Sequence, residues 1–390
     1  MAKLTVCGGG NAAHVLIALA GQAGWEVDVF APLAGEAKRL AAGMAAQAGL
    51  VARFGTQTSV GQARRVSPTP AEVIPGSELI LLALPAFAHD PILRAIAAFL
   101  EPDAAVVALP ARGGFDYQAR ALLARPARPI QLIGLQTLPW ACRIVTFGQE
   151  VDVLGTKAVV DLAAWPGPVA PGLAKTLATL LGLKINPISS FLSLTLANTG
   201  QLIHPGIMYG LCRGRETATF SQAEIPLFYQ GVDQATSELL QTLSDEVQML
   251  TRRLAAQLPD LEPQEIVPLY QWLLRAYPAD IGDSHTLRRA FVTNRAYAGL
   301  KIPTRPAGPD MLAVDFTARY LAEDVPFGLV VLRGLAEIAG VPTPTIDEVI
   351  TWAQERLGKQ YLVDGRLAGH HVSESRAPQV YGLQRLDQLA

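Results

Sequence analysis

An α/β domain built on a parallel sheet, followed by an all-helical C-terminal domain, is the fold class that this 390-residue sequence predicts. Three observations carry it. A short apolar strand, Lys3 to Cys7, runs straight into the turn Gly8-Gly9-Gly10 and then into an Ala/Leu-rich helix over Val15 to Ala23. Nearly continuous aliphatic runs recur at Glu78 to Leu84, Ala104 to Leu109 and Ile130 to Leu135, the pattern of strands buried on both faces. From Ser189 onward these runs give way to apolar residues at helical intervals.

The first strand, turn and helix set the character of the N-terminal domain. Gly8, Gly10 and Ala13 stand at the G-x-G-x-x-[GA] positions, in the order required by the dinucleotide fingerprint of a Rossmann-type domain. Glycines let the backbone approach a pyrophosphate, and the free amides at the helix start meet its charge. His14, just inside the helix, reads as a packing or capping residue. The second strand, Trp25 to Phe30, ends in Phe30-Ala31-Pro32-Leu33, without the acidic residue that usually grips an adenosine ribose. Lys38 and Arg39 lie farther on, so a 2′-phosphate stays open. Gln47 to Pro70 reads as short strands and loops.

Each of the three aliphatic runs stops at a loop bearing Pro or Gly: Pro85-Ala86-Phe87-Ala88-His89, Pro110-Ala111-Arg112-Gly113-Gly114-Phe115 and Gln136-Thr137-Leu138-Pro139-Trp140-Ala141-Cys142-Arg143. Ligands of such sheets sit beyond the carboxyl ends of the strands, so the three loops point to one crevice. Glu150 to Thr156 and Ala158 to Leu162 read as further strands and Pro171 to Leu181 as a helix. The domain division falls at 1–186 and 187–390.

In the second half, Asp233 to Gln257 carries Ala235, Leu239, Leu240, Leu243, Val247, Leu250 and Leu254 at helical spacing. Pro263 to Tyr277, Ser284 to Phe291, Thr317 to Leu321, Gly328 to Ala339 and Thr345 to Gly358 read as further helices. The last begins with a capped Thr345-Ile346-Asp347-Glu348 after Pro342 and Pro344. The apolar stretch Ser190 to Gly210 holds His204, followed by Pro205, which should disturb a helix there by removing a backbone hydrogen bond.

Chemistry concentrates around that histidine and around Arg319-Tyr320-Leu321-Ala322-Glu323-Asp324. Buried, a histidine needs partners for both nitrogens; the bland alternative is a core histidine satisfied by a backbone carbonyl. In the functional reading Asp324 orients and charges His204, and Arg319 binds a substrate carboxylate bidentately. The alternative for Arg319 is an ordinary Arg–acid pair on a solvated helix end. Trp272 reads as an aromatic wall for a second substrate or as core, and Cys142 as a pocket lining without a cue for a lowered pKa.

Composition bounds the rest. A net charge of −2 with scattered Lys and Arg leaves no footprint for nucleic acid or an anionic membrane. The three cysteines are odd in number, far apart and in no metal-ligand spacing, which fits a reduced cytoplasmic protein with no metal. The N-terminus shows no export cleavage site, and the longest apolar run, Leu79 to Ala88, contains Pro85 and is too short to span a bilayer.

The chain resembles the opine dehydrogenases of the octopine/nopaline type over nearly its whole length, and within them the octopine dehydrogenases of marine invertebrates. The resemblance rests on Val6-Cys7-Gly8-Gly9-Gly10-Asn11, Pro85 to His89, Thr137 to Ile144 and Val153-Leu154-Gly155-Thr156-Lys157. It continues in His204-Pro205, Pro226-Leu227-Phe228-Tyr229-Gln230-Gly231, Arg319-Tyr320-Leu321 with Glu323-Asp324, Trp352 to Glu355 and Tyr361 to Gly365. It implies a C-terminal arrangement like that of 6-phosphogluconate dehydrogenase. The implied reaction is reductive condensation of an amino acid with a 2-oxo acid such as pyruvate, in a cleft between the domains. NAD(H) is the favoured cofactor, with NADP(H) left open. His204 matches the family's catalytic histidine, Asp324 its aspartate partner and Arg319 the nearby arginine. The expected cofactor set is Gly8, Gly10, Asn11, Ala13, Pro85 and Phe87, and the expected substrate set Gln136, Thr137, Cys142, Asn198 and Trp272.

Two departures bear on the amino donor. Gln136 stands where the family has glutamate, and a neutral amide does not hold a guanidinium. Asn198 and Gly200 replace larger, more apolar residues ahead of His204. Together they imply a small or neutral donor rather than arginine. A simple 2-oxo/2-hydroxy acid dehydrogenase and a non-catalytic nicotinamide sensor are the competing readings. The expected partners are small molecules, with the chain a monomer or homodimer.

Overall fold

The computed structural model describes residues 2–124 and 129–389. The chain divides into two compact units, Met1–Leu194 and Thr195–Ala390. The boundary falls inside the short helix Phe191–Leu196, a little beyond residue 186.

The first unit is organised by an eight-stranded sheet. Across the sheet the strands run Lys184–Pro187, Val159–Trp165, Gln131–Leu135, Ala105–Ala108, Leu79–Leu82, Lys3–Cys7, Glu26–Phe30 and Arg65–Ser67. All neighbours pair in parallel except Val159–Trp165 against Gln131–Leu135. The chain leaves Lys3–Cys7 toward one edge and returns to its other side at Leu79–Leu82, so the order reverses between those two strands. That reversal is where an open α/β sheet offers a crevice.

A second sheet of four strands, Gln57–Gly61, Leu50–Phe54, Glu150–Thr156 and Trp140–Thr146, lies over the first helix, Asn11–Gln22. Leu50, Ala52, Trp140, Cys142 and Val151 from this sheet join Ala13, Leu16 and Ile17 of the helix in one buried cluster. The expected loop Gln136 to Arg143 is therefore only partly a loop. From Trp140 it is a strand, because Trp140 and Cys142 are buried while their neighbours Ala141 and Arg143 are exposed.

The second unit packs around the helix Gln234–Ala255, capped by Asp233, whose carboxylate accepts from the Thr236 amide at 2.8 Å. Leu240, Leu243, Val247, Leu250 and Leu254 form its buried face. Ala235, expected on that face, is exposed; Thr236 and Glu246 are buried instead. The helix expected from Pro263 begins only at Leu269, since Pro268 keeps the residue before it extended. The next helices are Leu287–Val292, Arg319–Ala322, Val330–Ala339 and Pro344–Leu357. The last starts at an uncapped Thr343, not at a Thr345 cap. Its Thr345 and Ile346 amides donate to the buried carboxylate of Glu246, at 2.7 and 2.9 Å. This mainly helical unit also holds a three-stranded sheet, Thr219–Phe220, Met311–Val314 and Thr304–Gly308, absent from the sequence reading. Among the described residues no helix is long and apolar enough to cross a membrane.

Candidate active site

In the second unit His204 lies on the helix Gly200–Cys212. Helix is interrupted at Ala197, Asn198 and Thr199, before this helix begins, and the helix continues through Pro205. Ile203, Ile207 and Met208 are all buried, and their packing outweighs the backbone hydrogen bond that the proline lacks. His204 Nδ1 lies 2.7 Å from Asp324 Oδ2, whose side chain is only 2% exposed. Nε2 lies 3.0 Å from the Tyr229 hydroxyl. A carboxylate only accepts, so Nδ1 carries the proton and the neutral ring accepts from Tyr229 at Nε2.

A wide turn brings Asp324 there. Pro326 supplies no amide, and the Leu329 amide reaches back to the Asp324 carbonyl at 3.0 Å, five residues earlier. Tyr320 stacks on the imidazole at 4.5 Å and Phe228 stacks on Tyr320 at 4.4 Å. Tyr229 stacks on Tyr297 at 3.9 Å, and the rings continue through Tyr277 to Trp272. Trp272 is half-buried, three rings away from the histidine. Arg319 does not meet His204 through any hydrogen bond: its Nε donates to Glu323 at 2.6 Å, and its side chain is 58% exposed. Asn198 is buried, and its amide nitrogen has no hydrogen-bond partner among the described residues.

In the first unit Gly8 has φ +113°, and a Cβ there would meet Leu84 at 2.8 Å and the Ala83 carbonyl at 3.0 Å. Only glycine fits. Beside it, Gly10 opens the first helix with no side-chain cap, and nothing lies within 4 Å of where its Cβ would stand. These uncapped amides suit a phosphate. Asn11 turns its side chain away from that role: its Oδ1 accepts the Ile144 amide at 2.8 Å. Ala13 is fully buried. Pro85 is half-buried and Phe87 is 56% exposed on the short turn after Leu79–Leu82. His14 is buried, with Nδ1 on the Gly10 carbonyl at 2.9 Å and Nε2 accepting the Gly148 amide at 2.8 Å, which matches its reading as a packing and capping residue.

One acidic residue escaped the sequence reading. Glu36, at the start of the helix Glu36–Ala46, brings its carboxyl group against Gly9, where an added Cβ would meet Glu36 Cδ at 2.6 Å. Burial pushes this carboxyl above its usual range. No acid ends the second strand; Glu36 stands instead on the helix that follows it.

Gln136 is buried at the end of Gln131–Leu135, its backbone N–H donating to the Asp161 carbonyl at 3.0 Å, and Thr137 is half-buried beside it. Burial pushes the Cys142 thiol up to about 11, so it stays protonated. Lys157 donates to the Leu138 carbonyl at 2.9 Å, and burial together with the Arg112 charge brings it down from 10.5 to about 8. Between those two values the unfolded chain holds a proton that the folded chain has released, so this group adds stability as pH climbs from 8 to 10.5. Lys157→Met is expected to flatten that rise. Urea midpoints at pH 7.5 and 10 check it; an unchanged increment would exclude Lys157 as its source. No cluster among the described residues could hold a metal ion.

A family model described as "NAD/NADP octopine/nopaline dehydrogenase, alpha-helical domain" matches residues 187–357. Octopine dehydrogenase of Mizuhopecten yessoensis is 39% identical over 400 residues, covering 99% of this chain and 98% of the relative. Tauropine dehydrogenase of Arabella iricolor is 34% identical, covering the whole of both chains. A solved octopine dehydrogenase with NADH and L-arginine superposes with a TM-score of 0.91 at 36% identity, covering 100% of this chain and 98% of that one. The same enzyme with NADH and pyruvate gives 0.89.

Proposed function

The chain belongs to the octopine/nopaline dehydrogenase family of NAD(P)-dependent oxidoreductases, and from that premise we propose that it condenses a small neutral amino acid with a 2-oxo acid such as pyruvate. The observation that carries this reading is the His204–Asp324 pair at 2.7 Å, with the carboxylate buried. A carboxylate out of water holds the imidazole in one tautomer and stabilises its protonated form. The pair can therefore take a proton from the amine, return one to the carbonyl oxygen and assist the loss of water. Arg319, whose guanidinium keeps an exposed edge beyond Glu323, is the group we assign to the substrate carboxylate.

Gly8, Gly10 and the open helix start would hold the cofactor pyrophosphate, and Glu36 beside Gly9 would meet the adenosine ribose. Its carboxylate disfavours a 2′-phosphate, in keeping with the NADH-bound octopine dehydrogenase. Bound NAD(P)H supplies the two electrons that reduce the imine. The three buried, free cysteines support a reducing, cytosolic setting, and the partners are small molecules acting on a monomer or homodimer.

The direct test follows NADH, then NADPH, by absorbance with pyruvate and a panel of amines, each against a control without amine. Oxidation that requires both oxo acid and amine is expected. Oxidation with pyruvate alone would replace this reading with a hydroxy acid dehydrogenase. Gln136 is the residue behind the neutral donor. Gln136→Glu is expected to raise kcat/KM for L-arginine by about 10-fold or more, since a charged partner for the guanidinium adds roughly 1.5–3 kcal/mol. No gain for arginine in the steady-state comparison would remove Gln136 from donor selection.

A further inference from the structure

Both ring nitrogens of His204 are taken: Nδ1 by Asp324 at 2.7 Å and Nε2 by the Tyr229 hydroxyl at 3.0 Å. One face of the ring is covered by Tyr320 at 4.5 Å. A substrate oxygen can exchange a proton with this histidine in two ways, after Tyr229 swings away or through Tyr229 itself. Swinging away is the harder course. Tyr229 is 8% exposed, stacked on Tyr297 at 3.9 Å and met edge-on by Phe228 at 4.8 Å. Moving that ring would empty a phenol-sized space in packed aromatic surroundings. Passing a proton needs only the rotation of one O–H bond.

We propose that Tyr229 is the group that hands the proton to the substrate oxygen, and that the His204–Asp324 pair recharges it. The proposal rests on the reductive-condensation reading and adds the residue that touches the reacting atom. In the forward step the Tyr229 O–H bond breaks as its proton bonds to the carbonyl oxygen. The Nε2–H bond of the imidazolium breaks in concert, and that proton restores the phenol. The imidazole is left neutral, its Nδ1–H still donating to the Asp324 carboxylate. The path runs backward to reload: the amino donor's ammonium gives one proton to the tyrosine oxygen as the tyrosine's own proton moves to Nε2. No electrons are exchanged, and Tyr229 is unchanged over the cycle. Burial pushes this phenol well above its usual range, so it remains a hydroxyl between transfers.

Tyr229→Phe in the full-length chain keeps the ring and removes the relay. The expected result is a fall in kcat of about 100-fold, the scale of one general acid–base transfer, with KM for NADH and pyruvate within threefold. The solvent-isotope proton inventory should change from curved, with two protons in flight, to linear. A kcat within threefold of wild type, or a loss of activity that leaves the inventory curved, would overturn the relay. If the Phe variant fails to fold, 2,3-difluorotyrosine at position 229 keeps ring and hydroxyl while making the phenol more acidic. The alkaline limb of the pH–kcat profile should then move to lower pH, and an unmoved limb would overturn the proposal. If the wild-type chain reduces the oxo acid without an amine, the condensation reading falls, and the relay is tested on that carbonyl reduction. A wild-type chain that oxidises NADH with neither overturns both.

Discussion

His204→Gln is expected to lower kcat by about 10²–10⁴-fold, the range that positioned general acid–base groups contribute. Glutamine keeps a polar side chain in the pocket but cannot take up a proton and return it to Tyr229. Asp324→Asn should act in the same direction for a different reason. An amide oxygen can still accept the Nδ1 proton, but it carries no charge to stabilise the imidazolium. The measurement is NADH oxidation at saturating substrates, with far-ultraviolet circular dichroism to show that the helical unit is intact. A His204→Gln enzyme within tenfold of wild type would move the acid–base role elsewhere. Asp324 is 2% exposed, so its variant also needs a thermal melt beside the kinetics.

Glu246→Ala carries the largest expected effect on stability. Glu246 is buried, and its two carboxylate oxygens accept the amides of Thr345 and Ile346 at the start of Pro344–Leu357. Removing them leaves two helix-start N–H groups without that partner, at about 1–3 kcal/mol each, for a total of roughly 2–6 kcal/mol. For a unit of this size that corresponds to a fall in Tm of about 5–20 °C. Glu246→Gln keeps one acceptor and should lose less. Differential scanning calorimetry of both variants decides the matter, and an Ala variant melting within 2 °C of wild type would show that water replaces the carboxylate. The consequence reaches toward the site. The same helix carries Glu348, which accepts from the Tyr209 hydroxyl on the helix of His204.

The elements most legible in the sequence were those governed by neighbours along the chain. Gly8 is needed because of its own φ and the close Ala83 carbonyl, and a strand–glycine–helix order announces it. The aliphatic strands declare themselves because they are buried on both faces. Pro171–Leu181 and Glu150–Thr156 end where the pattern says they end. Pro205 misled, because packing of Ile203 and Ile207 outweighs one missing hydrogen bond. Trp140–Thr146 was hidden by its alternation within a Pro-containing stretch, with only Trp140 and Cys142 facing the core.

For the candidate site the sequence supplied the residue types and offered the pairing of His204 with Asp324 as one of two readings, which the resemblance favoured. The contact itself spans 120 residues and exists because a wide turn at Pro326 and a helix through Pro205 bring the two side chains together. Glu36 and Glu246 had no local signal at all, and Tyr229 stood in a matching motif with nothing to mark it as a partner of His204. Each acts on a partner distant in the chain: Gly9, His204 and the start of Pro344–Leu357. By itself the sequence determined the fold class, the phosphate-ready glycine turn and the chemistry available to the chain. Tertiary structure alone decided which polar groups meet, because hydrogen-bond partners are chosen by distance in space, and backbone periodicity encodes only which side chains avoid water.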